Sequence, residues 1–198
     1  MAPTRTDTTP GPSPRRADAQ RSVDRILDAT IDALARDPEA SMAAIARRAG
    51  VVRATVYVHF PTRENLIEAV TQRAISEVTD AIEAVDPARG NPADALERVV
   101  TAAWRTLARF HTLVEVNTRL PHADLHAMHQ PVLAILVPLI ERGQRDGIFR
   151  GDVPVAWHLS MLLALIHAAS SELSAGRMSR TAVEAALVRT VLGAITGR

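Results

Sequence analysis

The side chains best suited to chemistry in this 198-residue chain are basic, and they cluster. Between Ser41 and Arg63 stand Arg47, Arg48, Arg53 and Arg63 with no acidic residue among them, in a protein whose 23 basic and 22 acidic residues leave a net charge of only +1. So small a net charge creates no global field toward polyanions, and recognition of a phosphate backbone must come from such local clustering. A second group, His122, His126 and His129, has i, i+4, i+7 spacing, which places three imidazoles on one helical face with Asp124 nearby, as a metal or an anionic ligand would require. The commoner use of that spacing is solvent contact, and no His-Glu-x-x-His or paired-carboxylate motif accompanies it. The absence of Cys removes disulfides, thiolate nucleophiles and Cys-ligated zinc or iron–sulfur centres. Every basic residue is Arg, so a phosphate-loop Lys, a Schiff base and a Ser-Lys pair are excluded as well. No catalytic residue, metal or cofactor is assigned. A small helical metal-binding protein or enzyme built on the His122/His126/His129 face is the alternative.

The elements that must position these residues read as helices. Alanine contributes 34 residues, no stretch alternates apolar and polar residues over a useful length, and no hairpin dipeptide occurs. Residues 1–17 hold four prolines and no apolar run, which predicts a disordered arm rather than a signal peptide or a folded element. Apolar periodicity predicts a first helix over 18–36, a short second over 42–49 capped by Ser41 and stopped by Gly50, and a third over about 52–59. Thr62 caps a long fourth helix from Arg63 to Val85. Further helices are predicted over 92–110, 111–120, 122–145, 155–173 and 181–195. Within 122–145, Pro131 and Pro138 lie seven apart, so their kinks add into a bend unless the segment breaks into two helices at Gln130. The most apolar stretch, Leu159 to Ala169, is 11 residues long and includes a His. That is well short of the roughly 20 needed to span a bilayer, so no membrane association is expected.

Segment 41–63, SMAAIARRAGVVRATVYVHFPTR, suits two short helices crossing steeply at a tight turn. Ala46 permits close approach, Gly50 supplies the left-handed turn, and Ile45, Val51 and Val56 fill the small core between them. The run IARRAGV, then TVYVHF, then Pro-Thr-Arg-Glu-Asn-Leu-Ile leading into a long helix, resembles the signature of the TetR family of bacterial transcription regulators over residues 20–67. The chain departs from that pattern at Val52, where the family often carries Ser or Thr.

The resemblance implies an all-α protein: a three-helix helix-turn-helix DNA-binding domain over 18–63 and a helical effector-binding and dimerisation domain over 64–198. It implies phosphate-facing roles for Ser41, Thr55, Tyr57, His59 and Arg63. Arg53, in the first turn of the recognition helix, is expected to read guanine, whose O6 and N7 accept two bonds from a guanidinium. Arg47 and Arg48 are as readily a solvated face. Trp104, Phe110, Met128, Trp157 and Met161 are candidates to line an effector cavity. The last two helices are apolar on more than one face, through residues that include Leu165, Leu187 and Val191, and a twofold four-helix interface is expected there. The expected protein is a cytoplasmic homodimeric repressor, released from a palindromic double-stranded DNA operator by an unknown small-molecule effector, with the Arg63–Val85 helix as lever.

Overall fold

The computed structural model describes residues 14–117 and 127–196. His122, Asp124 and His126 lie outside the described residues. Every described element is helical apart from one isolated bridge between Phe149 and Thr196. The first helix, α1 (Pro14–Leu34), starts before residue 18, the predicted boundary, so the last residues of the expected arm are helical. A proline fits there, because the first turn has no intrahelical use for its missing N–H.

Helices α2 (Met42–Ala49) and α3 (Arg53–His59) follow as the spacing predicts. Ser41 caps α2, its hydroxyl oxygen accepting from the Ala44 N–H at 3.3 Å, and Gly50 ends it with φ 65°. That angle is strained for any residue with a Cβ. The long α4 (Arg63–Glu83) starts under a Thr62 cap, whose oxygen accepts from the Asn65 N–H at 3.1 Å. In its first turn, Glu64 is held below the usual carboxylate range by its hydrogen bonds to its own backbone N–H and to the Thr62 hydroxyl.

The remaining helices are α5 (Pro92–Leu107), followed by a single 3-10 turn Ala108–Phe110, then α6 (His111–Asn117), α7 (Gln130–Arg145), α8 (Val155–Ser174) and α9 (Arg180–Ile195). Helix α7 begins at Gln130 with His129 in the N-cap position, so Pro131 sits in the first turn and only Pro138 lies inside the helix. The additive bend expected from two internal prolines is therefore replaced by a helix boundary, because a proline in the first turn leaves no internal hydrogen bond broken. At Gly143 any Cβ would fall within the ring of the buried Phe149, so the α7 backbone can approach that ring only through glycine.

Two apolar cores form. The first joins Ile26 and Leu34 of α1, Ile45 of α2, Val56 of α3 and Leu66, Val70 and Ala74 of α4. The second joins Val78 and Ile82 of α4 to α5, α7, α8 and α9. One helix thus serves both. Arg98 secures the far end of α4, donating to the carbonyls of Val85 at 3.2 Å, Asp86 at 3.2 Å and Arg89 at 2.9 Å. Arg142 of α7 grips the same loop through the carbonyls of Pro87 and Ala88. Leu187 and Val191, expected between protomers, are instead 5% and 1% exposed within the single chain. They face the protomer's own core because α9 packs on α5 and α8 through that side. The rest of the pair's apolar surface is carried by Met161, Leu165, Val188 and Leu192, half-buried against the margin of this core, and by exposed Ala164, Ala168 and Gly193. Among the described residues no helix is long and apolar enough to cross a membrane.

Candidate nucleic-acid interface and ligand cavity

The six residues expected to meet DNA all fall on the α2–α3 pair or the start of α4. Arg53 occupies the first position of α3 and is exposed. Its Nη2 donates to the Tyr57 hydroxyl at 3.1 Å, and its guanidinium carbon lies 5.2 Å from that ring's centroid. A cation held over an aromatic face one turn away keeps the guanidinium extended along the outer surface of the helix. Ser41 is exposed, and its capping bond uses only the oxygen, leaving the hydroxyl proton to be donated outward. Thr55 and His59 are half-buried. Arg63 reaches back to the Pro38 carbonyl at 2.6 Å, a bond between the start of α4 and the α1–α2 connection that sequence spacing did not indicate. Val52 takes the N-cap position of α3 with no side-chain hydrogen bond, as its departure from the expected hydroxyl residue implied. Of the two ambiguous arginines, Arg47 is exposed, whereas Arg48 lies 3.6 Å from the Asp32 carboxylate on α1.

A chain of charges runs along α4 from this head to the turn that follows α5. Arg73 of α4 pairs with Asp28 of α1 at 3.1 Å and with Glu77 at 3.0 Å, and Arg109, beyond α5, pairs with Glu77 at 3.1 Å. Asp28 and Arg109 are largely exposed, so solvent screens their pairs and each adds little stability.

Below the head, α4 to α9 line a cavity of about 120 Å³ that is open at one side. Its walls are apolar, with Val78, Val99, Leu136, Leu162, Ile166 and Leu187 among them, and the polar groups on it are Thr71, His129 and His167. The Thr71 hydroxyl donates to the Ile67 carbonyl at 2.8 Å. The His167 Nδ1 is buried and has no hydrogen-bond partner among the described residues. Burial, and secondarily the facing His129, push the His167 imidazole below its ordinary value, so it is neutral at pH 7. Of the five residues expected on the cavity, Phe110 lines it. Trp104 is fully buried behind the wall, its Nε1 donating to the Arg180 carbonyl at 3.4 Å. Met161 packs on the core without reaching the cavity, and Met128 lines a separate depression with Glu68, Thr79 and Pro131. Trp157 is 62% exposed on the outer surface. Helical periodicity tells which residues face inward, not which of them border empty space.

The depressed His167 value carries a sign. Above the ordinary value of 6.5 the imidazole is neutral in both folded and unfolded chains and stability is unaffected. Below it the unfolded chain binds the proton first, so stability is lost as pH falls from about 6.5 through the folded value. Urea midpoints measured across that range should fall more steeply for the wild type than for His167→Gln. Parallel curves would place the imidazole in contact with water.

A helix-turn-helix head joined through one continuous helix to an apolar ligand cavity is the architecture of a one-component transcription regulator, in which a single chain holds both DNA and a small molecule. The chain belongs to the TetR family. The family model described as bacterial regulatory proteins, tetR family, matches residues 26–70. The TetR transcription regulatory protein from Mycobacterium vanbaalenii is 31% identical, with 93% of this chain and 100% of that one covered and a TM-score of 0.59. The HTH-type transcriptional repressor LfrR of Mycolicibacterium smegmatis is 28% identical over 93% of this chain and 96% of its own length. The crystal structure of LfrR in complex with proflavine covers 91% of this chain and 99% of its own at 26% identity, with a TM-score of 0.71. The family is one of transcription regulators rather than enzymes. Among the described residues no group of three or more His, Asp or Glu is placed to hold a metal ion.

Proposed function

We propose that this chain is a cytoplasmic homodimeric repressor, without enzymatic activity, that leaves a palindromic operator when a small, largely apolar molecule fills the cavity. The observation that carries this reading is the double packing of α4, whose first half belongs to the reading head and whose second half walls the cavity. Residues 18–63 act as the head and 64–198 as the effector and dimerisation part. A ligand that displaces the wall displaces the head. A hundredfold loss of operator affinity requires the ligand to prefer the DNA-incompetent conformation by about 2.7 kcal/mol, and operator DNA must weaken the ligand by the same factor. The relative LfrR takes proflavine, which supports a small-molecule occupant here. In this chain His167 offers such a molecule a buried ring nitrogen in a wall that is apolar apart from Thr71 and His129.

On the head, Arg53 reads a base while Ser41, Thr55, Tyr57, His59 and Arg63 hold the phosphates. The experiment is gel-shift titration of DNA flanking the chain's own gene against random duplex, at several salt concentrations. Arg53→Ala should weaken operator binding by roughly 1–3 kcal/mol and relax base preference, whereas Arg63→Ala should weaken every sequence alike and reduce the salt slope by about one. Equal losses on operator and random DNA for Arg53→Ala would make Arg53 another phosphate contact.

A further inference from the structure

The described surface carries very few large exposed apolar side chains, and they are unevenly placed. Val52, Tyr57, Val58 and Trp157 are the exposed large hydrophobics, so three of the four stand within one seven-residue stretch. Val58 is the most exposed, at 78%. Scattered single apolar residues need no explanation, but a group of them on the helix that carries Arg53 does. Valine is a poor helix former, and α3 also lacks a side-chain cap, so Val58 weakens a helix that is already short. Exposed Ala54 lies one turn before Val58, as Arg53 lies one turn before Tyr57, and the helix therefore presents an apolar strip next to a guanidinium strip. An isopropyl group cannot bond a phosphate. In the major groove, though, thymine alone presents a methyl group, and apolar contact is how it is told from the other bases.

We propose that Val58, with Ala54 beside it, reads thymine methyl groups, so that each operator half-site pairs a guanine under Arg53 with a thymine under Val58. This rests on the regulator reading above, and the test separates the two. An operator is first selected from a random duplex pool with the full-length protein, and each thymine is then replaced singly by deoxyuridine, which lacks only the methyl group. Burying one methyl is worth about fourfold in affinity. At one thymine position, uracil should weaken the wild type about fourfold per half-site, or about fifteenfold in both, while Val58→Ala binds the thymine and uracil operators equally. The comparison is a double-mutant cycle across the interface. Wild type indifferent to uracil at every position, or Val58→Ala that keeps the full uracil penalty, overturns the inference while leaving the regulator reading intact. A pool in which no sequence is enriched overturns the regulator reading, and this inference with it.

Discussion

Trp104→Ala should lower the stability of the folded chain by about 3–5 kcal/mol, as truncation of a buried Trp does when the surrounding structure cannot collapse into the space. The indole is fully buried and bonded to the Arg180 carbonyl at the start of α9, so its removal leaves a void and forfeits that cross-helix hydrogen bond. Against a typical total of about 5–15 kcal/mol, that is enough to bring a marginal domain near its threshold. Urea unfolding read by circular dichroism gives the number directly. A loss below about 1 kcal/mol would mean that the second core closes over the site without help, contrary to the packing of α5 against α9. The same substitution is unsuited to probing the ligand, since it would disturb the cavity by loosening its support. His167→Gln is the cleaner probe, because it alters a group on the wall itself.

Ala168→Arg and Val188→Arg should each give a monomer, and operator affinity should fall more than about a hundredfold, because each head then engages one half-site without its partner. Ala168 is exposed and Val188 is half-buried at the margin of the core, so a guanidinium at either position can reach water in a single chain but not in a close contact between two. Leu187→Arg is expected to behave differently. Its side chain is 5% exposed, and an unpaired guanidinium in that core costs several kcal/mol, which unfolds the protomer before any dimer is tested. Light scattering together with circular dichroism distinguishes the outcomes. A dimeric mass retained by both surface variants would place the contact on another face.

What could be read from the chain beforehand was local. Ser41, Gly50 and Thr62 mark element ends through chemistry that acts within one turn, and the structure places the ends of α2, α3 and α4 within a residue or two of where they were expected. Departures arise where a residue admits two local uses. Pro14 counted as a sign of disorder and serves as a helix start, and Pro131 counted as a kink and lies in a first turn. The head was legible because its charges, small residues and turn are contiguous. The cavity was not, since its wall is assembled from six helices and depends on which inward-facing residue borders a neighbour and which borders space. Trp104 and Phe110 have the same apolar character and nearly the same burial, yet only Phe110 lies on the wall. His167 is a lone histidine in an apolar helix and belongs to no motif. Its significance comes from the burial around it and from His129, which is far away in sequence.

Helix α4 imposes a length constraint as strict as any on side chains. Its buried residues Leu66, Val70, Ala74, Val78 and Ile82 recur every fourth position, and since a helix turns about 100° per residue, that stripe winds through about 160° from one end to the other. The helix therefore faces the head core near its start and, on almost the opposite side, the cavity near its end. An insertion of one residue between Ala74 and Glu77 would leave the packing of α1, α2, α3 and the first half of α4 on one another in place, yet it would rotate the far half by about 100° and bring Glu77 to the position where Val78 meets the cavity. Surface connections elsewhere can absorb such insertions at little thermodynamic expense. In this segment a frame-preserving gain or loss of a single codon would uncouple the DNA address from the chemical signal, even with each half still folded.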